Sequence, residues 1–508
     1  MTDTPLFHPT WPAGLPVGDG WVDGLPTAPV RFPYTGSLVA HAAIGDAALA
    51  THAVDVAVGL REQVGRLPSH VRRAALRGAH RVVLDHREEF LQLLVLETGK
   101  PLVDCRVEVD RTLLTLETAA EEVARLHGET VPLDLLPSGE GLLGFWVRRP
   151  IGVVVGIAGF NYPMLLAAHK IAPALAAGCP IVVKPAPQTP LATLWLVHAV
   201  REALVAAGGP AGAVQLVTGG PEVGVALTTD RRIGAVSFTG SAAVGHRIAR
   251  DAAPTKVLLE LGSNAARVVA ADADLDAAAD AVVRGGYYAS GQACISVQRL
   301  LVVEEVRDDF LARLSARIGD VVTGDPREPT TRVSALIDER STARVREWVD
   351  AAVAAGATLV HGGEVVDGVI APTVLLDVPD GVAAWDEEIF GPVVAVRTVR
   401  DVEEGFDVVN ASRYGLQASV FTASLATAFR ALDRIEVGGV IVNEVPGFRS
   451  DVMPYGGVKD SGVGREGPRF AIDELTVTRM AVIRPQTTSA HPARPARPAR
   501  PARPARPA

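Results

Sequence analysis

The chain has 508 residues, 48% of them hydrophobic and 21% charged. That length predicts about two to four domains with sizeable cores, and the composition is too apolar for a disordered chain. The formal net charge is −9; the five arginines of the closing segment (Arg494, Arg497, Arg500, Arg503 and Arg506) contribute +5, which leaves the body at −14. An acidic body argues against nucleic acid as a partner, because phosphate binding needs clustered Lys and Arg.

Three cysteines, Cys105, Cys179 and Cys294, are widely separated and odd in number. Neither a zinc-type pair nor a disulfide framework is predicted from them, and no metal is expected. Residues 1–14 contain no basic stretch followed by an apolar one, so no signal peptide is read. The most apolar window, 164–183, is interrupted by His169, Lys170 and Pro173, which argues against a membrane span. The reading is a soluble, cytoplasmic enzyme kept in a reducing compartment.

In chain order, residues 1–36 are rich in Pro and Gly and predict an irregular lead-in. From about 46 to 126 the pattern is helical, with segments such as 71–96 repeating apolar residues at three and four spacing. Pro101 suits the first turn of the helix that follows, where its missing N–H costs nothing. The stretch 129–149 reads as a hairpin. From Ile151 short apolar runs at 151–158, 180–184, 213–218 and 233–239 alternate with helical stretches. Such alternation implies parallel pairing through crossovers in a doubly wound sheet. A second series runs from Lys256 to about Val442, with strands at 267–270, 298–303, 392–397, 419–422 and 439–442. Two doubly wound α/β domains follow from this, with the late strand-like run 476–483 free to pair outside them. The tail from His491 repeats Pro-Ala-Arg and predicts an extended, disordered appendage.

Two segments match the dinucleotide fingerprint G-x-G-x-x-G, at Gly139–Gly144 and at Gly462–Gly467. Neither lies between a strand and a helix, so both are read as decoys. The better phosphate seat is the junction Phe238-Thr239-Gly240-Ser241, where a strand meets a helix N-terminus. Cys294 follows Ser290-Gly291-Gln292-Ala293 rather than filling a periodic apolar face, which predicts an accessible thiol. Cys105 and Cys179 read as small buried residues. Glu260 ends a strand, where open α/β sheets bind ligands. Asn161 lies just past the first strand, where it could equally serve a turn.

These segments together resemble the aldehyde dehydrogenase superfamily, in its NAD(P)-dependent, non-acylating branch, over about residues 35–485. Seven motifs occur in the family's order: Phe160-Asn161-Tyr162-Pro163, Lys184-Pro185-Ala186, Phe238-Thr239-Gly240-Ser241 with Gly245, Glu260-Leu261-Gly262, Gly291-Gln292-Ala293-Cys294, Glu387-Glu388-Ile389-Phe390-Gly391-Pro392, and Pro454-Tyr455-Gly456-Gly457-Val458-Lys459 with Ser461-Gly462. The resemblance implies a Cys294 nucleophile, an Asn161 oxyanion donor and a Glu260 general base. Lys170 is implied to assist proton movement, with a structural role as its other reading. Lys184, Gly240, Ser241, Gly245, Glu388 and Phe390 are implied to hold the cofactor. Pro187 stands where NAD-preferring members carry a ribose-binding Glu, which leaves NAD and NADP both open. Phe448-Arg449-Ser450-Asp451 resembles members acting on small hydroxylated or phosphorylated aldehydes, and this implicates Arg449 and Tyr162 in substrate binding.

By the same resemblance the cofactor-binding domain covers 1–127 and 149–258, and the catalytic domain 259–467. An oligomerisation arm covers 128–148 and 468–486, making a homodimer or homotetramer, and 487–508 form the tail. The rival readings are a CoA-acylating aldehyde dehydrogenase, whose members commonly lack the carboxylate found at Glu260, and a catalytically silent cofactor-binding homologue.

Overall fold

A computed structural model describes residues 4–485; the Pro-Ala-Arg tail lies outside them. The chain divides into two units, one comprising the residues up to Leu126 with Arg149–Val477, the other His127–Arg148 with the residues from Thr478.

The larger unit is built on two sheets. In the first, the strands run Gly462–Val463, Lys256–Glu260, Ile233–Thr239, Val153–Ile157, Ile181–Lys184, Val214–Leu216 from edge to edge. All neighbours are parallel except the short Gly462–Val463, which lies antiparallel to Lys256–Glu260. Val153, Val154 and Val155 are all fully buried, as expected of a strand covered on both faces. The chain adds strands in one direction from Val153–Ile157 and then reverses to add Ile233–Thr239 on its other side. In such folds ligands bind at the point of reversal, beyond the carboxyl ends of the strands.

The second sheet has seven strands in the order Thr358–His361, Thr373–Leu376, Val393–Val399, Arg299–Val303, Ala266–Val269, Gln417–Phe421, Gly439–Val442. Its pairings are parallel apart from the antiparallel edge strand Thr358–His361. Helix starts follow simple chemistry: Asp46, Asp274, Asp338 and Asp401 each accept the backbone N–H three residues on. The smaller unit is a three-stranded sheet with Leu143–Pro150 between Glu129–Val131 and Thr476–Ile483. The expected hairpin at 129–149 is therefore present, as antiparallel pairing of Glu129–Val131 with Leu143–Pro150.

Two expectations are corrected, and a third, the helical pattern at 71–96, holds but is divided. Lys256–Glu260, which the strand pattern places in the second series, pairs parallel with Ile233–Thr239 in the first sheet; one helix, Ala242–Ala252, makes the crossover. The helical stretch 71–96 is two helices, Ser69–Asp85 and Arg87–Thr98, broken at His86 (φ −108°, ψ 26°). The first buries one stripe, from Val71 to Val83, whereas the second buries Phe90, Leu91, Leu93, Leu94 and Val95, almost its whole circumference. One continuous axis cannot present both patterns to the same core. Finally, the lead-in is not irregular throughout: Thr27–Arg31 pairs antiparallel with Leu38–Ala43, and its Pro29 is tolerated in a two-stranded ribbon.

Both Gly-rich matches are outside strand–turn–helix junctions of the parallel sheets. Gly139 closes a short 3-10 turn within the hairpin connection, and Gly462 starts the antiparallel edge strand. Among the described residues no helix is long and apolar enough to cross a membrane, and no group of three or more His, Cys, Asp or Glu is placed to hold a metal ion. All three cysteines are free.

Long-range carboxylates cap two interior helices. Helix Pro163–Ala177 is preceded by Tyr162 and helix Leu191–Ala206 by Pro190, and neither has a local side-chain cap. Glu108 instead accepts from the N–H groups of Met164 (2.9 Å) and Leu165 (3.2 Å). Glu97 accepts from Leu191 and Ala192. Glu108 is also ion-paired with Lys100, and both side chains are almost wholly buried. Glu108→Ala would bury the ammonium unpartnered and leave two helix amides without acceptors. It is expected to lower stability by about 3–5 kcal/mol, read as an earlier urea midpoint, with Glu108→Gln losing less because it keeps an acceptor oxygen.

Candidate active site

A cavity of about 680 Å³ opens at the reversal point of the first sheet. Asn161, Tyr162, Gly240, Ser241, Glu260, Cys294, Glu388, Phe390 and Arg449 line it. Lys170, Lys184 and Gly245 do not line it, although Lys170 packs behind the wall residue Thr239 and Gly245 behind Leu261.

The sequence around Cys294 folds into a tight loop because several backbone groups are tied from outside. Ala289 and Ser290 adopt left-handed φ values of 49° and 55°. Asp104, on helix Leu102–Glu122, accepts from the Ala289 N–H at 2.9 Å. The Ser290 hydroxyl accepts from the Ser334 N–H at 2.9 Å, and the Gln292 side-chain oxygen from Ile337 N–H at 2.9 Å. Gly291 (φ +74°) has no substitute, since a Cβ there would stand 2.0 Å from the Gly391 carbonyl oxygen. The Asn161 amide donates to the Gln292 carbonyl at 2.8 Å, which brings it to the nucleophile loop. Cys294 Sγ lies 3.2 Å from the Tyr455 hydroxyl, and burial pushes its thiol up to about 12.

Two buried carboxyl groups sit together and behave oppositely. Glu260 ends its strand with Oε2 buried and without a hydrogen-bond partner in the protein. Burial, then the charge of Glu466, holds its carboxyl well above the ordinary range. Glu466 has Lys170 at 3.2 Å, His169 at 3.2 Å and Arg449 at 3.0 Å, and these cations and hydrogen bonds outweigh its burial to hold it well below that range. Lys170 also donates to the Thr239 hydroxyl at 2.7 Å. Asp451 completes the cluster, accepting two bonds from Arg111 (2.9 and 2.8 Å) with His169 at 2.9 Å.

Arg449 therefore does not stand free in the cavity. Its guanidinium bonds Glu466, lies 3.5 Å from Asp451 and stacks 3.7 Å from the Tyr455 ring centre. Tyr162 is likewise engaged, with the Lys100 ammonium 3.7 Å above its ring. Glu466, His169, Asp451 and Tyr455 join the site although the sequence reading gave them no role; Glu466 lies inside the second decoy glycine match, where only the strand pairing reveals its direction.

On the far side of the cavity, Ser241 is the N-cap of helix Ala242–Ala252 but makes no side-chain cap bond. Gly245 is required by packing, as a Cβ would stand 2.3 Å from the Leu261 side chain. Glu388 accepts from the Ser263 N–H at 3.0 Å, and burial raises its carboxyl to about 7. Phe390 meets Phe160 edge to face, ring centres 5.7 Å apart. Lys184 reaches the Pro185 carbonyl at 3.4 Å; burial lowers its pKa, and nearby Glu222 opposes that shift.

The family model for the aldehyde dehydrogenase family matches residues 21–481. A 3-sulfolactaldehyde dehydrogenase of Priestia aryabhattai is 42% identical over 403 residues, covering 79% of this chain and 84% of that protein. The crystal structure of aldehyde dehydrogenase 21 from Physcomitrella patens, in complex with the reaction product succinate, superposes with a TM-score of 0.90 at 37% identity, over 94% of this chain and 99% of that one. That of glyceraldehyde-3-phosphate dehydrogenase GapN from Methanocaldococcus jannaschii, complexed with NADP, gives 0.87 at 33% identity, over 90% and 99%. Matched along nearly its whole described length in both sequence and fold, this chain belongs to the aldehyde dehydrogenase family.

Proposed function

We propose that the protein oxidises a small hydroxylated or anionic aldehyde to its carboxylic acid with NAD or NADP as hydride acceptor. The observation that carries this reading is the 2.8 Å bond from the Asn161 amide to the Gln292 carbonyl, which holds a donor beside the Cys294 loop in a cavity that Glu260 also lines.

The residues fit a dinucleotide. The amides at the start of helix Ala242–Ala252 and the unengaged Ser241 hydroxyl would hold a pyrophosphate. Glu388, with only one of its oxygens bonded to Ser263, would hold a ribose, and Lys184 a second one. Pro187, exposed beyond Lys184, offers neither a ribose acceptor nor repulsion of a 2′-phosphate, which supports both cofactors. The chemistry supplied by NAD or NADP when bound is hydride acceptance at the nicotinamide ring.

The chain's own groups account for the rest. The Cys294 thiolate forms the C–S bond to the aldehyde carbon, and the carbonyl pair moves to oxygen. Asn161 Nδ2 and the Cys294 backbone N–H donate to that oxyanion; such donors are typically worth about 3–4 kcal/mol. Loss of hydride leaves a thioester on Cys294. Glu260 then takes a proton from the attacking water, and the thiolate is expelled as the acid forms. Lys170, bonded to Thr239 and Glu466, moves charge in the shell behind Glu260.

Two observations support the substrate class. The Tyr288 hydroxyl is buried at the cavity wall with no hydrogen-bond partner in the protein, a site for a substrate hydroxyl. The relative named for 3-sulfolactaldehyde is consistent with an anionic tail, although Arg111, Arg284 and Arg449 on the cavity wall are each paired with a carboxylate of the protein. The smaller unit exposes Leu135, Leu136, Leu143, Met480, Val482 and Ile483, which supports an oligomerisation arm and a homodimer or homotetramer. By the same reading the cofactor-binding domain carries most of the first sheet, the catalytic domain adding its edge strand Gly462–Val463 and the whole of the second. The three free cysteines suit a reducing, cytoplasmic compartment.

The first test follows reduced-cofactor absorbance over a panel of small aldehydes with NAD and NADP in parallel. Turnover is expected, and Cys294→Ser should bring it to background; product that forms only with added CoA, or cofactor binding without turnover, would replace this reading. Because Glu260 acts as a base only once deprotonated and burial raises its carboxyl, steady-state turnover should still be climbing with pH above the ordinary carboxylate range. Glu260→Gln should lose that limb, keep a stoichiometric burst of reduced cofactor, and slow steady state by about 10²–10⁴-fold. Tyr288→Phe should lower kcat/KM for a 2-hydroxy aldehyde by about tenfold while leaving the unhydroxylated analogue of equal length nearly unchanged.

A further inference from the structure

Among the described residues a single hydrogen-bond contact reaches the reacting sulfur, from the Tyr455 hydroxyl at 3.2 Å. Tyr455 comes from the late loop and is rigidly placed. Its backbone exchanges two hydrogen bonds with Glu466, at 3.1 and 2.6 Å, and its ring is buried against Ile295 and Leu416. The Arg449 guanidinium lies 3.7 Å from the centre of that ring, and is itself held by Glu466 at 3.0 Å and Asp451 at 3.5 Å. A cation on the ring face draws electron density from the phenol and makes its O–H a better donor.

We propose that Tyr455 is a catalytic residue: its hydroxyl, polarised by the Arg449 cation, donates to the Cys294 sulfur and favours the thiolate that attacks the aldehyde. The direction of the bond follows from what each group can hold. Burial keeps the phenol protonated, well above its usual range, while a sulfur that has lost its proton can only accept. The groups facing the sulfur are Glu260 at the end of its strand, Glu388 from the loop across the cavity, Tyr288 at the start of the nucleophile's own loop, and Tyr455 with Arg449. Burial and the two carboxyl groups oppose a thiolate; the Tyr455 hydrogen bond and the Arg449 charge are the contributions that favour it. Arg449 touches the ring rather than the sulfur and is a positioning residue.

This inference rests on Cys294 being the nucleophile. The experiment labels the full-length enzyme with iodoacetamide between pH 7 and 9 and follows the Cys294 peptide by mass spectrometry, with buried Cys105 and Cys179 as internal references. Tyr455→Phe keeps the ring and removes the donor; labelling at a given pH should slow by about three- to tenfold, the lost thiolate fraction being partly offset by higher intrinsic nucleophilicity. A cavity merely loosened by the substitution would label faster, so an unchanged or increased rate overturns the proposal. Site-specific 3,5-difluorotyrosine at position 455 keeps the hydroxyl and strengthens it as a donor. It should speed labelling, and failure to do so overturns the proposal even where the Phe variant does not fold. Turnover persisting in Cys294→Ser would instead remove the nucleophile assignment itself, whereas its loss there together with unmoved labelling in Tyr455→Phe removes only the role of Tyr455.

Discussion

Helix Leu102–Glu122 carries two buried carboxylates one turn apart, and the two walls of the cavity hang from them. Asp104 holds the Ala289 amide of the nucleophile loop, and Glu108 holds the first amides of the helix that follows Asn161. Helix N-termini present N–H groups with no intrahelical partner, and a buried one must find acceptors elsewhere. Here a neighbouring helix provides them, so the capping requirement of one element fixes its distance from another. The oxyanion donor and the thiol owe their mutual placement to one rigid rod rather than to two loops. Lys100, locked to Glu108 and lying over Tyr162, neutralises that buried charge and ties the same rod to the cavity wall.

The second organising feature is a division of labour between carboxyl groups. Glu260 and Glu466 are neighbours with similar burial, yet the environment separates them. Glu466 is surrounded by Lys170, His169 and Arg449, whereas Glu260 has one oxygen with no partner at all. Groups driven apart in this way can hold different protonation states at one pH, the usual arrangement for acid–base chemistry. The ionised Glu466 keeps the cations local, so that Glu260 is left free of a lasting salt bridge and able to take and release a proton.

Much of this was legible in the residues because strands buried on both faces read as short apolar runs, and because motif residues sit at the carboxyl ends of those strands. Ile233–Thr239, Gly439–Val442 and Thr476–Ile483 have the bounds expected. Cys294, Asn161 and Glu260, picked out separately along the chain, line one cavity. What was not legible depends on tertiary direction. Nothing local tells that Lys256–Glu260 joins the earlier sheet, since the choice lies in which neighbour its crossover reaches. Glu97, Glu108, His169 and Glu466 look like ordinary polar residues of helices and turns, and only burial turns them into caps and counterions. Arg449 shows the converse: its residue type invites a substrate anion, while its neighbours had already claimed its guanidinium.

The edge strand Gly462–Val463 beside Lys256–Glu260 has a bearing on how the enzyme is made. The strands of the first sheet that carry Asn161, Gly240 and Glu260 are all synthesised before residue 261, yet the partner on the open edge of Lys256–Glu260 comes some two hundred positions later in the chain. The same late segment brings Tyr455 and Glu466. A nascent chain can thus assemble its parallel sheet early, but must keep one strand edge unpaired until the second sheet has been translated. Long-range closure of this kind is slow and leaves an adhesive edge exposed in the interim. The ribosome finishes the scaffold long before it finishes the chemistry, and the cell receives a working site only once residues 455–466 have been translated.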